Sequence, residues 1–110
     1  MDISTSVQQE VTVVALNGRF DAQSSGQIDS SLQAHIKDGV KKLVVDMGLV
    51  EYVSSAGLRV LLSAAKKSGA LGGRLVLCGL QPYVLEVFEV AGFTSIFQIT
   101  PDAAAALASF

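Results

Sequence analysis

Two hydroxyls stand side by side in "VEYVSSAGLRVLLSAAKK", residues 50–67, where a strand-like run gives way to a helix-like one. A serine at such a junction can cap the helix, or attack a carbonyl once a base activates it. Capping accounts for one hydroxyl and about 1 kcal/mol. It leaves the second serine without a role, together with the small residues Ala56 and Gly57. Glycine in a first helical turn costs up to about 1 kcal/mol relative to alanine. Its smallness predicts a surface that another chain approaches closely.

The nucleophile reading lacks its partners. "VSSAG" has no first glycine of G-x-S-x-G, and the single histidine, His35, falls on or beside the apolar face of a different helix. A phosphate-cradling loop at "GALGGR" fares no better, because no Lys-Ser/Thr follows and the helix precedes the glycines instead of following them. One cysteine, Cys78, permits neither an intrachain disulfide nor a cysteine metal cluster, and in an apolar strand it reads as a small buried hydrophobe. The expectation is therefore a protein that is not an enzyme, with no cofactor and no metal.

The elements that position the serines follow from periodicity. "ISTSVQQEVTVVALNG" reads as two strands turning at Gln9-Glu10, an antiparallel hairpin. Ser24 with Gln27 three residues on has capping-box spacing, Asp21 is an alternative cap one turn earlier, and Ile28, Leu32 and Ile36 mark the buried face of a first helix ended by Gly39. "KKLVVDM" and "RLVLCGL" are short buried strands, the first ending near Asp46. Between them Leu58, Leu61, Leu62 and Ala65 form a helical stripe that starts near Ser54 or Ser55, with Lys66 and Lys67 at the cation-favouring end and Gly69, Gly72 and Gly73 closing the helix. A strand–helix–strand unit of this kind implies parallel strands and a right-handed crossover. The serines then lie at the carboxyl edge of the sheet, where ligands and partners bind in open α/β folds. Pro82 opens a third helix that runs through Val84, Leu85, Val87 and Phe88 to a stop at Gly92. "IFQI" forms a last short strand and "PDAAAALASF" a terminal helix, while Phe88, Phe93 and Phe97 fill the core. The predicted fold is α/β, a mixed sheet with an N-terminal hairpin and then parallel strands, packed with about four helices. The pattern leaves open whether the helices cover one face or two.

At 110 residues, half of them apolar, the chain suits one domain spanning residues 1–110. A net charge of −2, with basic residues scattered apart from two lysine pairs, argues against nucleic acid. No apolar run reaches the roughly 18 residues of a membrane span and "MDISTSVQQE" has no signal-peptide character, so a soluble, cytoplasmic protein without membrane insertion is expected.

"LNGRFDAQSS", "LVVDMGLVEYVSSAGLRVLLSAAKK" and "GGRLVLCGLQPYVLEVFEVAGF", followed by the alanine-rich tail, resemble the STAS domain along nearly the whole chain, specifically the bacterial anti-sigma factor antagonists. The most specific element is the S-S-A-G-L turn. The resemblance implies that Ser55, two residues before Gly57, is phosphorylated by a partner that is both serine kinase, of the histidine-kinase-like ATPase fold, and anti-sigma factor. Unmodified protein would capture that partner and free the sigma factor, and a metal-dependent serine phosphatase would restore it after phosphorylation. The acidic residue that often precedes the acceptor is Ser54 here, which makes Ser54 a second candidate. Asp21 matches an acidic position beside the phosphorylation loop and would support docking, as would Ala56, Gly57, Leu58 and Arg59, although Arg59 equally suits plain solvation. The same family also supplies constitutive interaction modules, as accessory subunits of lipid transport systems or in signalling scaffolds, in which the serine is dispensable.

Overall fold

The computed structural model describes residues 1–110. Strand β1 (Asp2–Gln8) pairs antiparallel with β2 (Val11–Phe20), and the order continues α1 (Ser25–Lys37), β3 (Lys42–Val53), α2 (Ser55–Ala70), β4 (Arg74–Cys78), α3 (Pro82–Val90), a 3-10 turn (Phe93–Ser95), β5 (Gln98–Thr100) and α4 (Ala103–Ala108). The hairpin turns through Gln9 and Glu10, both at positive φ (53° and 66°). That is the two-residue geometry whose twist matches its strands.

The sheet order is β1-β2-β3-β4-β5, and β2 through β5 are all parallel. Each step moves one strand over in the same direction, so right-handed crossovers must place α1, α2 and α3 on one face. There the helical residues Ile28, Leu32, Leu61 and Phe88 close over Val14, Leu43, Val45 and Leu77 in the main core. The opposite face carries Val11, Val13, Val44, Val76 and Cys78, covered by Ala106 of α4 with Ala103, Leu107 and Phe110 around it. Arg74 seals that end by lying over the Phe110 ring, 4.6 Å from its centroid. Both faces are thus covered, three helices against one.

Several sequence expectations need correction. The third strand does not end near Asp46. It leaves β4 at Asp46 and runs on beside β2 as far as Val53. The extension breaks strict alternation: Ala15 to Asn17 on β2 spans Asp46 to Leu49 on β3, and Gly18 to Arg19 spans Val50 to Tyr52. Each bulge inserts one residue and shifts the side-chain phase by one, which keeps both Val50 and Val53 in the core. A stretch whose apolar residues do not alternate therefore conceals a strand. The buried stripe of α2 is also displaced, to Gly57, Leu61, Ala64 and Ser68, while Leu58, Leu62 and Ala65 flank it half-buried. Gly69 lies inside the helix and the last strand is Gln98–Thr100, not "IFQI", because Phe93–Ser95 first make a 3-10 turn. The Ser24–Gln27 capping box does not form: Ser24 is itself in helical conformation, and its hydroxyl donates back to the Arg19 carbonyl at 2.8 Å.

Cys78 is fully buried beneath α4, next to Asp46 in the adjoining strand. Burial, reinforced by the negative charges of Asp46 and Asp102, pushes its thiol up from 9.0 to about 12. The folded state keeps a proton that the unfolded state releases. Stability from this source is complete below pH 9 and is lost at up to roughly 1.4 kcal/mol per pH unit between pH 9 and 12. Denaturant titrations at pH 8 and 10.5 should show a smaller alkaline loss for Cys78→Ala than for the native sequence.

Candidate functional site

The site is built where β2 and β3 end side by side. Phe20 closes β2 with its side chain fully buried, and its carbonyl accepts a hydrogen bond from the Ser54 N–H at 2.8 Å. That bond ties the residue after β3 to the end of β2. Ser54 then adopts extended backbone (φ −85°, ψ 171°) and its Oγ accepts from the Gly57 N–H at 3.2 Å, as an N-cap does. The next residue, Ser55, is the first of α2. Its side chain is exposed and makes no hydrogen bond within the protein.

The two hydroxyls thus have different fates. One is spent on the helix terminus and the other is free. The Ser54 Oγ is already engaged by the Gly57 N–H, whereas Ser55 has no structural bond to lose.

The sequence alone reads the smallness of Gly57 as room for another chain to approach. Gly57 is buried, and the approaching group belongs to this chain: a Cβ on Gly57 would lie 2.8 Å from Phe20 Cδ1 and 3.0 Å from the Phe20 carbonyl oxygen. The first turn of α2 sits directly on Phe20, a positioning residue that sequence reasoning overlooked. The readable signal was the costly glycine itself, which demanded some close neighbour. Leu58 is also turned partly inward, against the main core. Ala56 and Arg59 line a shallow groove with Ser25 and Asp29 of α1, and Arg59 is exposed.

Asp21 stands one residue beyond Phe20, so the Phe20–Ser54 hydrogen bond brings it to the same sheet edge. Its Oδ1 accepts from the backbone N–H groups of Gln23 (3.0 Å) and Ser24 (3.2 Å), capping the turn that leads into α1. Its other oxygen lies 3.8 Å from Arg19 Nε, and the Arg19 guanidinium stacks over the Tyr52 ring at 4.4 Å. Arg19 and Tyr52 are register partners on β2 and β3. They add a cation and an aromatic face to this edge that the sequence reading did not single out.

The chemistry available is that of a presented hydroxyl. No group of three or more His, Cys, Asp or Glu residues is arranged to hold a metal ion, and no helix is long and apolar enough to cross a membrane. The His35 side chain lies in the last turn of α1, at the end of the helix remote from the Ser24 and Asp21 turn.

Comparison with known proteins gives a consistent picture. The STAS domain model matches residues 2–106. BtrV of Bordetella bronchiseptica, which bears the name of an anti-sigma factor antagonist, is 42% identical over 98 residues, covering 89% of this chain and 84% of its own. In fold, the chain superposes on an anti-sigma factor antagonist from Thermotoga maritima with a TM-score of 0.92 at 17% identity, covering 97% of this chain and 92% of that one. It superposes on the Bacillus cell-fate determinant SpoIIAA in its phosphorylated form with a TM-score of 0.76 at 20% identity, covering 98% of each.

Proposed function

The chain belongs to the STAS domain family and to the anti-sigma factor antagonists within it, and from that premise we propose that it is a phosphorylation-gated capture protein. Unmodified, it binds an anti-sigma factor that is also a serine kinase of the histidine-kinase-like ATPase fold, and so frees a sigma factor. The kinase transfers the γ-phosphoryl group of ATP to Ser55 Oγ: the Oγ–P bond forms, the bond from the β,γ-bridging oxygen to the γ-phosphorus breaks, ADP leaves, and the hydroxyl proton passes to a base on the kinase. The modified protein is released until a metal-dependent serine phosphatase hydrolyses the ester. In this cycle the chain is substrate and switch and supplies no catalytic residue.

One observation supports the reading above the others: of two adjacent serines at the sheet edge, Ser54 caps α2 and Ser55 projects unbonded from its first turn. That SpoIIAA, a protein of the same fold, exists in a phosphorylated form is in keeping with it. Asp21, Ala56 and Arg59 around Ser55 form the docking surface, with Ser54, Gly57 and Leu58 shaping the turn from behind.

The test is site mapping by intact mass and peptide analysis after incubation with ATP and the cognate kinase. The native protein and Ser54→Ala should each gain one phosphate and Ser55→Ala none. A phosphate retained in Ser55→Ala and lost in Ser54→Ala would reverse the assignment.

A further inference from the structure

Arg59 lies four residues beyond Ser55 on α2, and both side chains are exposed. Residues so spaced are neighbours on a helix surface, about 5–6 Å apart at Cβ. Long side chains on a helix lean toward its N-terminus, over the preceding turn, so the guanidinium of Arg59 is carried back toward Ser55. An anion placed N-terminal to a cation at this spacing is the more favourable order. The first turn of α2 contains no acidic residue to compete. Arg59 is also uncommitted, since the one ion pair in the protein joins Arg19 to Asp21. Besides Arg59, the only charged residue lining its groove is Asp29 of α1, and no ion pair joins the two.

We infer that Arg59 is the intramolecular counter-ion of the phosphorylated switch, its guanidinium pairing with a phosphate on Ser55 across one turn of α2. The inference rests on the assignment of Ser55 as the acceptor. Phosphorylation then changes two features of the docking surface together. It adds an anion at Ser55 and withdraws the exposed cation at Arg59. A planar guanidinium suits this task because its fork of donors matches phosphate oxygens.

The test uses the full chain with phosphoserine installed at position 55 during translation, so that no kinase is needed. Phosphorus NMR titration reports the second ionisation of the phosphate. In Arg59→Ala that pKa should rise by about 0.3 pH unit relative to the native sequence, because the dianion loses a neighbouring cation. The difference should collapse in 1 M salt, where the screening length is about 3 Å. Lys66→Ala, which removes an exposed cation further along α2, should leave the native value unchanged. Equal values for the native chain and Arg59→Ala, or an equal rise in Lys66→Ala, would overturn the pairing. Its failure is separable from that of the proposed function. Kinase binding that ignores the phosphate while the pKa difference persists would sink the function and leave the pair standing. A switch that works with no pKa difference would do the reverse.

Discussion

Phosphorylation of Ser55 is expected to weaken capture of the partner kinase by at least a hundredfold while leaving the protein folded. The modification adds a charge of about −1.5 to −2 at the first position of α2. A helix N-terminus favours negative charge, and the cap on Ser54 is untouched, so the domain has no reason to open. The interface is affected far more. Two unit charges about 5 Å apart at an effective dielectric of 20 interact by about 3 kcal/mol, so one facing carboxylate on the partner is enough for two decades in Kd. Desolvating the phosphate in a closed interface adds to the loss. Calorimetric titration of the kinase with unmodified and Ser55-phosphorylated protein measures the effect, and circular dichroism of both forms checks the fold. Ser55→Ala should bind like the unmodified protein and resist switching, and Ser55→Asp, with a single charge, should fall between the two forms. Equal affinities for the unmodified and phosphorylated forms would end the switch model.

The largest loss of stability from a single change near the site is expected at Phe20. Its ring is fully buried in the main core and its carbonyl holds the Ser54 N–H. Phe20→Ala removes the ring and leaves a cavity under the first turn of α2, at a cost of about 3–5 kcal/mol. That is a large share of the roughly 5–15 kcal/mol available to a domain of this kind. Chemical denaturation should show the midpoint falling accordingly, and the variant should also capture its partner less well, because Ser55 loses its pedestal. Gly57 offers a companion test from the other side of the same contact. Alanine ordinarily gains up to about 1 kcal/mol over glycine in a helix, yet a Cβ here would lie 3.0 Å from the Phe20 carbonyl oxygen, which is backbone and cannot swing away. Overpacking of that kind costs about 1–3 kcal/mol, so Gly57→Ala should be destabilising on balance. Gly69 lies in the same helix and a Cβ there meets nothing within 4 Å. Gly69→Ala should therefore be stabilising. A stabilising Gly57→Ala would mean that the Phe20 contact does not constrain the turn.

Two of the differences between sequence and structure, the long β3 and the missing capping box, share a physical origin. Local pattern was sufficient wherever one element's own period carried the information. Ile28, Leu32 and Ile36 recur every four residues and do face the core of α1, and the apolar runs "LVV" and "RLVLC" lie in central strands. It failed wherever a neighbouring strand set the outcome. The stretch from Met47 to Val53 alternates improperly because two bulges absorb extra residues against β2, and nothing within the stretch marks their positions. Likewise, a capping box at Ser24 and Gln27 has the right spacing, but the Ser24 hydroxyl is claimed by Arg19 at the end of β2.

The sequence alone determined the class of the protein: strand, helix and strand around a serine pair at a junction, in an order and spacing shared with the STAS domain. These features are visible locally because capping residues, helical periods and short buried runs act within a few residues of themselves. Only the tertiary structure decided how the two serines divide their work and why Gly57 is a glycine. Both answers depend on Phe20, a residue 34 positions before Ser54 in the chain, whose carbonyl fixes the turn and whose ring fills the space beneath it. Contacts at such separation arise from the pairing of β2 with β3 and leave no period in the sequence.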